Sequence, residues 1–160
     1  ILANAPSNKV NEIEENSLNN TKENFPIVIS TWNVPNATKK AGILLEEGST
    51  SLDAIEKGCM VEEADLNNQS VGNGGRPDRD GYVTLDACVM DKNGNYGSVV
   101  YMQNIVHAIA VARKVMEDTP HVILAGKGAE EFAISKGFEK TNLLTEALKT
   151  PKHSVSPSSE

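Results

Sequence analysis

The chain has 160 residues, of which 39% are apolar and only 4% aromatic, with a formal net charge of −7 and a pI near 5.0. That length suits one domain with a mainly aliphatic core. The acidic balance argues against a nucleic-acid partner, because phosphate contacts need clustered Lys and Arg. No apolar run approaches the roughly 20 residues of a membrane helix. Residue 1 is Ile rather than Met, which suggests a processed or trimmed chain with no signal peptide left to read.

Residues 1–24 show no apolar period, and nine of the fourteen residues from 11 to 24 are Asn or Glu, so a flexible polar leader is expected. The globular part spans 25–148. It opens with Pro26-Ile27-Val28-Ile29-Ser30-Thr31-Trp32, a β-branched run that reads as a buried strand. Asn36 is placed to cap a helix that turns Ala37, Ala41, Leu44 and Leu45 to one side and stops at Gly48. Thr50 and Asp53 have the spacing of a second helix start, with Leu52, Ile55 and Cys59 expected inward.

A glycine-rich loop over 64–81 follows. Two apolar runs, 83–91 and 96–102, flank Lys92-Asn93-Gly94-Asn95, and an Asn-Gly between such runs signals a hairpin. The clearest helix covers 104–117, where Ile105, Ala108, Ile109, Ala112, Val115 and Met116 recur at helical spacing. His121-Val122-Ile123-Leu124-Ala125 reads as a strand, 129–136 as a helix ending at Gly137, and 142–148 as a further short helix. Residues 149–160 are Ser/Pro-rich and read as a flexible tail. The order β-α-α-β-β-α-β-α-α with a central hairpin suits a mixed α/β (α+β) sheet covered by helices. It also leaves the other sheet face uncovered, as in half of a larger unit.

Few residues declare a chemistry. Cys59 and Cys88 are too few for a disulfide framework; they could bridge, but lying in apolar periodic segments they read first as two inert buried thiols. The loop Ser70-Val71-Gly72-Asn73-Gly74-Gly75-Arg76-Pro77-Asp78-Arg79-Asp80-Gly81 follows a helix and leads into a strand, the reverse of a dinucleotide fingerprint, and its acids miss the calcium-loop register. A structural loop is the plainer reading. Asp86 interrupts an apolar strand, so it is hydrogen-bonded inside or paired near a site. His107, His121 and His153 lack metal-ligand spacing, so neither metal nor cofactor is expected. Glu117 and Asp118 read as a solvated helix end. Asn19, Asn36 and Asn68 each open an N-x-S/T triplet, which carries glycan only in a eukaryotic secretory route.

Taken together, Ser30-Thr31-Trp32-Asn33, the 70–81 loop with Thr84-Leu85-Asp86-Ala87, and the run from Ile109 through Glu117 resemble the glycosylasparaginases (aspartylglucosaminidases). The likeness continues through Thr119-Pro120-His121-Val122 and Ala133-Ile134-Ser135-Lys136-Gly137-Phe138, in order, over about 26–144. The resemblance implies an αββα sandwich of the N-terminal-nucleophile hydrolases, made as a precursor that cuts itself, with this chain as the α-subunit half. The nucleophile would be the N-terminal threonine of a separate β chain, its own α-amine acting as base. No catalytic residue is expected on this chain. The reaction would be hydrolysis of the amide joining N-acetylglucosamine to asparagine, in an (αβ)2 assembly. Trp32 matches the tryptophan that lines the family's substrate pocket, and Ser70 a serine that supports self-cleavage. Asn36 matches a glycosylation position of lysosomal members.

Two features depart from the vertebrate pattern. Met60-Val61-Glu62-Glu63 stand where further cysteines are usual, and Arg76-Pro77-Asp78-Arg79-Asp80-Gly81 is closer to bacterial members. An exported, periplasmic protein is therefore expected, with lysosomal or secreted localisation if the source is eukaryotic. The alternatives are an isoaspartyl peptidase/L-asparaginase-like hydrolase, which shares the Asp86-Ala87 and Met90-Asp91 pattern, and an exported homologue that has lost activity.

Overall fold

The computed structural model describes residues 26–148. The expected leader at 1–24, the tail at 149–160 and the Asn19 triplet lie outside the described residues.

Helix α1, Pro35–Glu46, starts two residues earlier than expected. Pro35 at the first helical position fixes φ and lacks an N–H that would go unpaired there, so Val34 takes the cap and Asn36 sits inside the helix. The helix ends where Gly48, at φ 86°, reverses the chain and its N–H reaches the Leu45 carbonyl. Helix α2, Ser51–Ala64, begins as read: the Thr50 hydroxyl accepts from the Asp53 amide at 3.1 Å.

Its inward face is not the one expected. Ala54, Glu56, Gly58 and Glu63 are buried, whereas Ile55 and Cys59 are exposed. The reason is that α2 has helices on two sides. Toward α1 it presents Gly58, where a Cβ would stand 2.9 Å from the Ala37 carbonyl oxygen. Toward the next helix it presents carboxylates, described below. Of the positions expected inward, Leu52 does pack against the core, as does Met60, while Ile55 and Cys59 are left exposed.

The hairpin forms as read. Strand β1, Leu85–Met90, pairs antiparallel with β2, Tyr96–Met102, and the Asp91 carboxylate organises the turn by accepting from the amides of Asn93 and Asn95. Strand β3, Ile123–Ala125, pairs parallel with β2, giving the order β1-β2-β3. The run 26–32, expected as a buried strand, has no regular structure, and Ile27 and Ile29 are 79% and 85% exposed. An extended segment becomes a strand only by pairing, and no strand among the described residues pairs with this one.

Helix α3 is Ala108–Asp118, starting later than the apolar period suggested because Asn104 takes a left-handed φ of 62° and turns the chain first. It lies directly on the sheet: a Cβ on Gly97 would sit 2.3 Å from the Ala112 carbonyl oxygen. Helix α4, Gly126–Ser135, ends at Gly137, and the last expected helix is only a 3-10 turn, Glu146–Leu148.

Helices α3 and α4 cover one sheet face, closing a core around Val89, Val99, Met102, Ile105, Val111 and Val115. Strand alternation sends the other residues the opposite way. The register aligns Met90 with Tyr96, Cys88 with Ser98, and Ser98 with Ile123. Met90, Tyr96 and Ile123 are exposed, and so is Cys88, so neither cysteine is a buried thiol and both are free. The described residues form a mixed α/β layer with one bare sheet face.

Candidate functional site

Trp32 lies on the stretch leading into α1. The Ser30 hydroxyl accepts from the Trp32 amide at 3.2 Å and donates to its carbonyl at 2.9 Å, and the Val34 amide donates to the same carbonyl. This small turn holds the backbone while the indole is 74% exposed. Thr31 and Asn33 beside it are exposed too. A core anchor would be covered, so the indole is free to meet a ligand or another part of the protein.

Ser70 lies in the loop between α2 and β1, and it too is exposed. The loop is tied down on both sides of it. Before Ser70, the Asn68 amide nitrogen donates to Glu62 at 2.9 Å, and its oxygen accepts the Ser70 backbone N–H at 3.0 Å. Gln69 pairs with Arg76 through backbone and side chain, at 3.0 and 2.9 Å. After Ser70, the chain crosses the end of α2 so closely that a Cβ on Gly72 would fall 2.0 Å from the Glu63 carbonyl oxygen. Gly72 has φ 61°, and the next amide, Asn73, donates to that same carbonyl at 2.7 Å. These glycines serve close backbone approach, as the structural reading of the loop expected.

The residues that sequence reasoning missed are carboxylates of α2. Glu63 is buried and reaches α3, where one oxygen accepts the Ile109 amide at 2.9 Å and the other lies 3.2 Å from His107 Nδ1. Helix α3 has no capping side chain of its own, so Glu63 supplies the cap from a neighbouring helix. Farther along, Arg113 bridges Asp53, Glu56 and Glu117 at 2.6, 2.5 and 2.6 Å. Glu117 is therefore paired, not merely solvated. Its carboxyl lies below the usual range: partial desolvation would raise it, but hydrogen bonds from Arg113 and Lys114 outweigh that. Asp53 is lowered by hydrogen bonds from Thr50 and then Arg113. Only the Arg113–Glu117 spacing of four could have signalled this cluster in advance.

Asp86 takes the structural role. On the bare face, at a register shift between Leu85 and Ala87, its carboxylate accepts the Tyr101 amide at 2.7 Å, and Tyr101 has a left-handed φ of 51°. A groove of about 410 Å³ is lined by Leu52, Tyr96, Met116, Glu117 and His121 among others, but by neither Trp32 nor Ser70. No hydrogen bond joins the Trp32 turn to the Ser70 loop among the described residues. Nor do three His, Cys, Asp or Glu side chains gather there to hold a metal ion.

A family profile described as Asparaginase (Asparaginase_2) matches residues 13–155. Across 141 residues the chain is 55% identical to the N(4)-(β-N-acetylglucosaminyl)-L-asparaginase of Elizabethkingia miricola, covering 85% of this chain and 42% of that protein. The rat protein of the same name is 45% identical over 76% of this chain and 35% of its own length. A probable isoaspartyl peptidase/L-asparaginase of Arabidopsis thaliana is 38% identical over 72% of this chain and 33% of its own. The chain thus spans less than half the length of each of these relatives.

Proposed function

The chain belongs to the Asparaginase_2 family, and on that premise we propose that it is the α half of a glycosylasparaginase-like amidohydrolase. Its substrate is the amide between N-acetylglucosamine and an asparagine side chain. The nucleophile is the N-terminal threonine of a β chain released from the same precursor by self-cleavage, activated by its own α-amine. The two chains form one αββα sandwich and assemble as (αβ)2, in a protein exported to the periplasm. The likeness to the Elizabethkingia relative over most of the chain carries this reading.

Two structural observations support it. The sheet presents Met90, Tyr96 and Ile123 on a face that no described element covers, which is where a second sheet would lie. Trp32 stands exposed at the end of a tethered turn, as a pocket wall awaiting its other half would. An indole face suits the apolar side of a sugar ring and can orient it without a charged contact.

The test is the full-length protein on two substrates. It should mature into two chains, the second beginning with threonine, and should release aspartate from N4-(N-acetylglucosaminyl)-asparagine far faster than from β-aspartyl dipeptides. Cleavage of the dipeptides alone would move the protein to the isoaspartyl peptidase reading, and a second chain without an N-terminal threonine would remove the activity. Fractionation of the source cells tests the export.

A further inference from the structure

Ser70 has an exposed side chain whose hydroxyl makes no hydrogen bond among the described residues, so nothing at the side chain fixes where the hydroxyl stands. Its backbone is fixed instead, by a two-step relay. Glu62, in the last turn of α2, accepts from the Asn68 amide nitrogen at 2.9 Å, and the Asn68 amide oxygen accepts the Ser70 N–H at 3.0 Å. The two ends demand opposite chemistry, and a carboxamide is the side chain that offers both a donor and an acceptor. Turning the Asn68 amide over would set oxygen against oxygen at Glu62 and donor against donor at Ser70. The amide orientation is therefore fixed, and with it the position of Ser70.

The rest of the loop gives this relay something rigid to act against. The Asn68 amide donates to the Asp65 carbonyl at 3.0 Å, Gln69 is held by Arg76, and beyond Ser70 the chain is pressed onto Glu63 at Gly72. We propose that Asn68, oriented by Glu62, is a positioning residue for Ser70 in precursor self-cleavage, and that the Asn68-Gln69-Ser70 triplet is this relay and not a glycan acceptor. The proposal rests on the self-cleavage proposed above and on the supporting role that the family resemblance implies for Ser70. A glycan attaches at the same nitrogen that Glu62 accepts from, so the two uses of Asn68 compete.

The full-length precursor provides the test. Asn68→Ala should slow self-cleavage at least about tenfold, the size expected for one lost hydrogen bond acting on a reacting group. Asn68→Asp keeps the acceptor for Ser70 but faces Glu62 with a second carboxylate, and should also be slow. In the double variant Glu62→Gln/Asn68→Asp, donor and acceptor change places between positions 62 and 68, and cleavage should return to within about threefold of wild type. A merely structural role would show as a fall in melting temperature that tracks the loss of cleavage from variant to variant, whereas a positioning role slows cleavage in Asn68→Ala with the melting temperature nearly unchanged. A double variant as slow as Asn68→Asp alone, or wild-type cleavage in Asn68→Ala, would overturn the proposal.

Hydrogen exchange at the Ser70 amide reads the relay without any cleavage, and its protection should fall at least about tenfold in Asn68→Ala. Unchanged protection would overturn the relay itself. A wild-type precursor that never cleaves, with Ser70 protected as described, would instead overturn the cleavage role of Ser70 and the functional part of this proposal with it. Produced in a glycosylating host, the protein should leave Asn68 bare, and occupancy there in active protein would count against the relay.

Discussion

At Trp32, exposure and anchoring are separate properties. The backbone turn is held by Ser30, while the indole contributes little to the packing of the chain itself. Trp32→Ala should therefore leave precursor cleavage and melting temperature nearly unchanged while lowering kcat/KM by about tenfold or more, the scale of a lost aromatic contact to a bound ligand. Steady-state kinetics beside a thermal melt separates the two, and a collapse of the melt would make Trp32 a packing residue. Gly72 is the opposite case. Gly72→Ala combines a left-handed φ of 61° with a Cβ driven into the Glu63 backbone, and should cost about 3 kcal/mol or more in denaturant unfolding. Of these two residues, composition located the glycine loop, whereas Trp32 stands out in the sequence only as the one tryptophan at the end of an apolar run, and family resemblance supplied its role. The cysteines show the limit of residue-level reading. Cys59 and Cys88 sit in apolar segments, but which side of a helix or strand is covered depends on what packs there.

Arg113 of α3 reaches Asp53 and Glu56 of α2 and pairs with Glu117 on its own helix, and acid should loosen this cluster. Asp53 and Glu117 have lowered pKa values in the fold, so their pairing with Arg113 is fully present above their ordinary values of 3.8 and 4.5. It is lost as pH falls through the lowered folded values. The melting temperature should accordingly drop below about pH 4.5, and the drop should be shallower in Arg113→Met, which starts less stable but has less to lose. Equal slopes in the two proteins would remove Arg113 as the cause. Nearer the helix start, Glu63→Ala strips α3 of its borrowed cap and leaves the Ile109 amide buried without a partner, a loss of roughly 2–3 kcal/mol in unfolding free energy. The β1–β2 hairpin was legible because period-two alternation and Asn93-Gly94 are local signals. The facing of α2 was not, because its partners come from 37–41 on one side and 107–113 on the other, and no local period encodes them. Residues 26–32 have the composition of a strand, but composition cannot supply the neighbour that a strand requires.

Across the whole molecule the two sides of the sheet are unequal. One side is closed by α3 and α4 over a core in which Val99 and Met102 are fully buried, while the other presents Met90, Tyr96 and Ile123, each at least 47% exposed. Ile27 and Ile29 add to the uncovered apolar surface, and among the described residues β3 has no partner on its outer edge. A surface of that kind, with an open strand edge, favours association. Produced alone, the chain should bind a hydrophobic dye and self-associate at micromolar concentration. Co-produced with the remainder of its precursor, it should behave as a defined complex. Hydrogen exchange gives the local reading: amides of β3 and of 26–32 should exchange freely in the lone chain and become strongly protected in the complex, while those of α3 change little. A lone chain that stays monomeric without binding dye, and whose β3 amides are already protected, would mean that the bare face needs no second sheet. The sandwich would then have to be abandoned, even with the family assignment intact.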